Sequence, residues 1–162
     1  IFIKMLKEKY PNIEYTIYGS GNDLDQIHYL LDRFNISDIV KVKGDIPNNK
    51  LKKEYFKYDY YLQLSISESL SMAVIEAQQR GLIPIVSNIG GLKDLVQDGK
   101  TGISKNFIDY NNMVDDIIAL HQNPKAYNKI SRECIEFINN NYTTEIESRN
   151  LRKLYKAIIG GN

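Results

Sequence analysis

The chain has 162 residues, which suits one domain and is short for two. With 43% hydrophobic and 25% charged residues it has the balance of an ordinary globular protein and enough apolar material for a core. A net charge of +1 gives no field that would argue for nucleic acid or an anionic membrane, and no apolar run approaches membrane-spanning length.

The opening segment, Ile1-Phe2-Ile3-Lys4-Met5-Leu6, is apolar but short, and Lys4 interrupts it. It runs into Lys7-Glu8-Lys9 with no small-residue cleavage site, so it does not read as a signal peptide. It reads as the second half of an amphipathic helix with neither a cap nor an initiator methionine. The expectation is a domain truncated at its N-terminal edge, with an upstream piece missing. Pro11-Asn12 ends this helix.

Tyr15 to Tyr18 is β-branched and aromatic and predicts a strand that stops at Gly19-Ser20-Gly21. Asn22 or Asp23 can cap a helix with Leu24, Ile27, Leu30, Leu31 and Phe34 at helical spacing. Ile39 to Val42 predicts a second strand, closed by Gly44. Asn48 or Asn49 starts a helix with Leu51, Tyr55 and Phe56 on one side. Tyr60 to Leu64 is the third strand. A polar loop from Ser65 to Ser69 leads into a helix over about Leu70 to Arg80, stopped by Gly81. Ile83 to Val86 is the fourth strand, Gly90-Gly91 opens a short helix, and Gly102 to Ser104 is a last short strand. From Asp109 the pattern is helical to the end, with breaks at Asn123-Pro124 and near Asn141.

Strands alternating with helices predict βαβ units: an α/β fold with one Rossmann-like parallel sheet and helices on both faces. Ligands of such sheets bind at the carboxyl ends of the strands. The loops to examine are therefore those after each strand.

Gly19-Ser20-Gly21 lies between strand and helix. Its glycines would let backbone approach a ligand, and a plain structural turn fits as well. It lacks the third glycine of the dinucleotide fingerprint and the phosphate-loop lysine. Glu68 and Glu76 form the stronger signal. Glu68 sits in the loop after a strand, and Glu76 lies two turns further on, about 12 Å along the helix axis at the standard rise. Between them Ser69, Leu70, Ser71 and Met72 would offer free backbone N–H groups to a diphosphate. Two carboxylates at that separation can hold different hydroxyls of an elongated polyol. The bland alternative makes Glu68 a helix cap and Glu76 a solvated charge. Gly90-Gly91 forms a third glycine loop at the same edge of the sheet.

Other candidates carry less. His28 and His121 fall in helices without partners at metal-ligand spacing, so no metal site is expected. Cys134, the one cysteine, shares a helix with Ile130, Ile135 and Ile138 and reads as a buried inert thiol. A lone cysteine makes no intrachain disulfide and suits a reducing, cytoplasmic compartment. Lys50 to Lys53 reads as a solvated helix face. No nucleophile elbow with Ser/His/Asp partners is visible.

Taken in order, Tyr18-Gly19-Ser20-Gly21, Val42-Lys43-Gly44-Asp45-Ile46, Glu68-Ser69-Leu70-Ser71 through Glu76-Ala77, Gly81 to Ser87, Gly90-Gly91 and Asp98 to Gly102 resemble the C-terminal domain of group 1 (family 4) glycosyltransferases of the GT-B fold. The glutamate pair eight residues apart is that family's signature, and the resemblance runs from about Tyr15 to Asn123. It implies one nucleotide-sugar-binding domain over 1–162, opposed in the whole enzyme by an N-terminal domain that binds a glycan or lipid acceptor. It implies retaining transfer from a UDP- or GDP-linked donor without a metal or other cofactor. It also implies a cytoplasmic enzyme with room for peripheral attachment at the inner face of a membrane.

By position, the resemblance assigns the ribose hydroxyls to Glu76 and the donor sugar to Glu68, the catalytic candidate. It sets Ser69 and the amides of Leu70, Ser71 and Met72 against diphosphate and sugar, and Gly44, Asp45 and Ile46 beside the base. Gly19, Gly21, Gly90 and Gly91 complete the donor-binding set. The chain departs from the family in Ser-Leu-Ser after Glu68, where Gly-Phe-Gly is commonest, and in Asp94, where Glu is usual. The family's basic pair for the diphosphate lies mostly upstream of this chain. Alone, the domain is therefore expected to fold without transferring sugar. Two other readings stay open: a sugar-nucleotide epimerase-like enzyme on the same fold, and a non-catalytic nucleotide-binding module.

Overall fold

A computed structural model describes residues 1–160; the predicted helical pattern at Gly161 and Asn162 lies outside the described residues. Five strands alternate with helices. In chain order these are α1 (Phe2–Lys9), β1 (Tyr15–Ile17), α2 (Leu24–Arg33), β2 (Val40–Val42) and α3 (Asn48–Glu54) with a 3₁₀ turn (Tyr55–Lys57). They continue with β3 (Tyr60–Gln63), α4 (Met72–Gln78), β4 (Ile83–Ser87), α5 (Leu92–Leu95), β5 (Ile103–Lys105), α6 (Tyr110–His121), α7 (Pro124–Asn141) and α8 (Thr144–Ile159). All the strand pairings are parallel, as the alternation predicts.

The strands do not form the single sheet expected. β1 pairs with β2, and β3-β4-β5 form a separate sheet. No ladder joins β1 to β3. Just past β1 and just before β3, side chains link the two parts: the Tyr18 hydroxyl donates to Glu54 Oε2 at 2.7 Å and lies 3.0 Å from the Tyr58 hydroxyl.

Helices cover both faces of the three-stranded sheet, because successive strand residues point to opposite sides. Ile83, Ile85 and Ile103 face α1 and α6 through Phe2, Leu6, Met113, Val114 and Ile117. Val86 faces the other way, against α4, α5 and α7 through Val74, Ile75, Leu92, Leu95 and Ile138. Ile3 and Ile13 also pack against the core of α2, β1 and β2, so α1 and the turn after it tie the two sheets together.

Local chemistry explains most boundaries. Asn123 caps α7 by accepting from Ala126 N–H, and Pro124 occupies the first turn, where a missing N–H costs nothing. Thr143 caps α8 in the same way. α8 itself buries no residue, and Leu151, Leu154, Tyr155 and Ile158 are exposed on it. Among the described residues no helix is long and apolar enough to cross a membrane.

One packing expectation needs correction. Phe56 is 73% exposed while its neighbour Tyr55 is buried, because the chain tightens into the 3₁₀ turn there and rotates Phe56 off the apolar side. Lys50, Lys52 and Lys53 are exposed, as expected, and the Lys52 ammonium stands 3.8 Å from Glu76. Cys134 matches its reading. It is fully buried, its thiol donates to Thr101 O, and burial pushes its pKa up to about 12.

Glu54 generates a prediction. Hydrogen bonds from Lys57 first and then Tyr18 lower its carboxyl from the ordinary 4.5 to about 2. A depressed folded-state pKa stabilises the fold above the unfolded value, and that stability is lost as pH falls towards about 2. Urea midpoints of wild type and Glu54→Gln should differ at neutral pH and converge between pH 4.5 and about 2. A gap constant across that range would contradict the linkage.

Candidate functional site

Parallel register places the carboxyl ends of β3 and β4 side by side, with Gln63 opposite Val86. The two loops that leave these strands therefore start together and run against each other. The loop after β3 carries Glu68, and the loop after β4 carries Gly90 and Gly91.

Contact between these loops is backbone on backbone. Gly91 N–H donates to Glu68 O at 3.1 Å. A Cβ on Gly90 would lie 1.9 Å from Glu68 O, and a Cβ on Gly91 would lie 1.7 Å from Ser69 O. Any side chain at either position would overlap a carbonyl oxygen. Gly91 has φ −77° and ψ −9°, a conformation open to every residue, so only the close approach requires glycine there.

The Glu68 carboxylate is held at both oxygens. Oε1 accepts from Ser69 N–H at 3.1 Å, and Oε2 accepts from Gln63 Nε2 at 2.8 Å. The N–H expected to be free at Ser69 is thus taken, since a carboxylate one residue away is its nearest acceptor. α4 begins later than expected, at Met72, because Ser71 is extended and caps it by accepting from Val74 N–H. Glu68 is therefore not the cap. Glu68 lies in the loop, as expected, and Glu76 is one turn into α4. Only the stretch from Met72 to Glu76 is helical, so the separation of about 12 Å taken from the helix rise does not apply.

Glu76 is only 18% exposed at its side chain, on the side of α4 that faces α3 and Lys52. Arg80 Nη1 donates to its carbonyl at 2.6 Å. This is a partly enclosed carboxylate rather than a freely solvated charge.

The second cluster belongs to β1 and β2. Gly19 N–H donates to Gly44 O at 2.9 Å, and the Ser20 hydroxyl donates to Asp45. Gly44 has φ +64°, which favours glycine at the turn out of β2. Ile46 follows directly. Gly21 touches nothing that a Cβ would meet and has no left-handed φ, so local structure does not demand its glycine.

The structure thus assembles the sequence candidates into two groups at the carboxyl ends of parallel strands. One holds Gly19, Ser20, Gly44, Asp45 and Ile46. The other holds Glu68, Ser69, Leu70, Ser71, Met72, Gly90 and Gly91, with Glu76 behind it. Gln63 was missed. It sits in an apolar strand pattern, and only its place at the strand end hinted at a role. Among the described residues no group of three or more His, Cys, Asp or Glu side chains is placed to hold a metal ion.

The sequence model of the glycosyl transferases of group 1 matches residues 2–137. The chain belongs to that family. As a group 1 chain it is 28% identical to alpha-monoglucosyldiacylglycerol synthase of Acholeplasma laidlawii over 163 aligned residues, covering 99% of this chain and 39% of that protein. Its fold is that of the GT-B C-terminal, Rossmann-like domain. Sucrose-phosphate synthase from Thermosynechococcus elongatus superposes with a TM-score of 0.85 at 20% identity, covering 99% of this chain and 42% of that one. Anabaena HepE, solved in complex with UDP-glucose, superposes at 0.83 with 15% identity, covering 96% and 44%. The group 1 chain therefore spans about two-fifths of the length of these relatives.

The glycine contact can be tested on stability. Gly91→Ala should destabilise the fold by roughly 1–3 kcal/mol, the usual cost of forcing atoms into a packed contact. Gly21→Ala should change it by less than about 0.5 kcal/mol. Denaturant midpoints check both, and equal effects would refute the backbone contact.

Proposed function

We propose that this protein binds a nucleoside-diphosphate sugar across the carboxyl ends of its parallel strands and donates the glycosyl group to an acceptor. The observation that carries the reading is the Glu68 loop. Its carboxylate is held at both oxygens, and its backbone is held by the two glycines that follow β4. Carboxylates that are already oriented recognise vicinal hydroxyls without first losing side-chain freedom.

In this reading Glu68 faces the donor sugar and is the catalytic candidate. Glu76, steadied by Lys52, takes the ribose hydroxyls. Backbone N–H groups of Leu70, Ser71 and Met72 face the diphosphate. The turn of Gly44, Asp45 and Ile46 flanks a uracil or guanine base, with Gly19 and Gly21 beside it and Gly90 and Gly91 on the sugar side. Transfer retains anomeric configuration and uses no metal or organic cofactor. It proceeds through an oxocarbenium-like sugar, stabilised as the diphosphate departs.

The acceptor, a glycan or a lipid, belongs to a further N-terminal domain of the whole enzyme. The name of the Acholeplasma relative supports a lipid among the acceptors, and attachment to the cytoplasmic face of a membrane belongs to the same proposal. Residues 1–162 form one donor-binding domain in this reading. An epimerase-like reaction or a purely binding role has no observation in its favour beyond the shared fold.

Calorimetric titration with UDP tests the ribose assignment. Glu76→Ala should weaken binding by roughly 1–3 kcal/mol, the range for a hydrogen-bonded charged acceptor. Unchanged affinity would end that assignment. In the full-length protein, Glu68→Gln should lower turnover more than nucleotide affinity, and a variant with normal turnover would count against its catalytic role.

A further inference from the structure

Gln63 lies outside every residue set discussed for the donor, yet it joins more of the site than any residue within it. Its amide stands at the carboxyl end of β3 and has partners of the correct polarity on both atoms. Nε2 donates to Glu68 Oε2 at 2.8 Å and to the Ser65 hydroxyl at 3.3 Å. Oε1 accepts from the Ser71 hydroxyl at 2.8 Å and from the Tyr61 hydroxyl at 3.4 Å.

Ser71 is buried and spends its other valence as the cap of α4, accepting from Val74 N–H at 3.3 Å. The result is a directed chain of donors. Val74 N–H donates to Ser71, Ser71 donates to Gln63, and Gln63 donates to the Glu68 carboxylate. Ser71 and Gln63 each both accept and donate, so each bond polarises the next toward the anion. An apolar residue at position 63 would leave Glu68 Oε2 and the Ser71 proton without these partners.

We propose that Gln63 is a positioning residue for the donor sugar: it orients the Glu68 carboxylate and locks that orientation to the start of α4. The proposal rests on the reading of Glu68 as the sugar-facing carboxylate. It adds a residue that acts through Glu68 rather than on the ligand. Because Ser71 is the second anchor, the Ser-Leu-Ser segment after Glu68 belongs to the same device.

The test uses the full-length protein with UDP and UDP-glucose as separate calorimetric probes. Gln63→Met keeps length and volume but removes both hydrogen-bonding atoms. It should weaken UDP-glucose about five- to tenfold, the upper range for one ordinary hydrogen bond. UDP, which has no sugar for Glu68 to meet, should stay within about twofold; a general packing defect would move both probes together. In a Glu68→Gln background, adding Gln63→Met should change UDP-glucose affinity by less than about twofold, because residues that act through one another are not additive.

Gln63→Glu provides a second, isosteric variant should Gln63→Met fold poorly. It sets two carboxylates against each other and should lose at least as much selectivity for UDP-glucose over UDP. If Glu68→Gln weakens UDP-glucose while both Gln63 variants bind like wild type, the positioning role is overturned and the reading of the site stands. If Glu68→Gln itself leaves UDP-glucose binding intact, the reading of Glu68 fails and the role of Gln63 fails with it.

Discussion

Two carbonyl oxygens, those of Glu68 and Ser69, occupy the space where the Cβ atoms of Gly90 and Gly91 would stand in any other residue. That contact is possible only because β3 and β4 run parallel and in register, so that the chain leaves both strands at the same level. From it follow the path of the loop after β3, the direction of the Glu68 carboxylate and the place where Ser71 turns into α4. A long polar loop would ordinarily pay in mobility for its lack of regular structure. This one is fastened by Gly91 N–H on one side and by the Gln63 amide on the other.

The two sheets give the site its second half. β1 and β2 carry the Gly19 and Gly44 turns, while β3 to β5 carry the glutamate and double-glycine loops. No ladder crosses between them. Their relation is set by α1, whose Ile3 packs into both cores, and by the Tyr18, Glu54 and Tyr58 cluster. In the proposed reading one nucleotide sugar spans both groups, with the base at one and the sugar at the other. The parallel direction of every strand puts both groups at the end where such ligands bind.

Much of this was legible in the sequence, for physical reasons that differ by element. The Asn123-Pro124 and Asn141 breaks were readable because capping and the missing proline N–H act locally, within a few residues. The strands were readable because β4 is buried on both faces and so consists of continuous apolar residues apart from Ser87. The start of α4 was not, because Ser69, Leu70 and Ser71 could each have opened it, and Ser71 is selected by Gln63 across the loop. The split into two sheets was not legible either, since strand partners lie far apart in sequence. Gln63 escaped notice because a strand pattern reports which face a residue occupies, not which partner waits at the strand's end.

The central claim is that one donor molecule bridges the two loop groups. The most direct measurement is a UDP-glucose titration followed by amide chemical shifts. The account predicts saturable shifts with one shared affinity at Leu70, Ser71 and Met72 and at Gly44, Asp45 and Ile46. Shifts confined to one group, or saturating at different concentrations in the two, would contradict it.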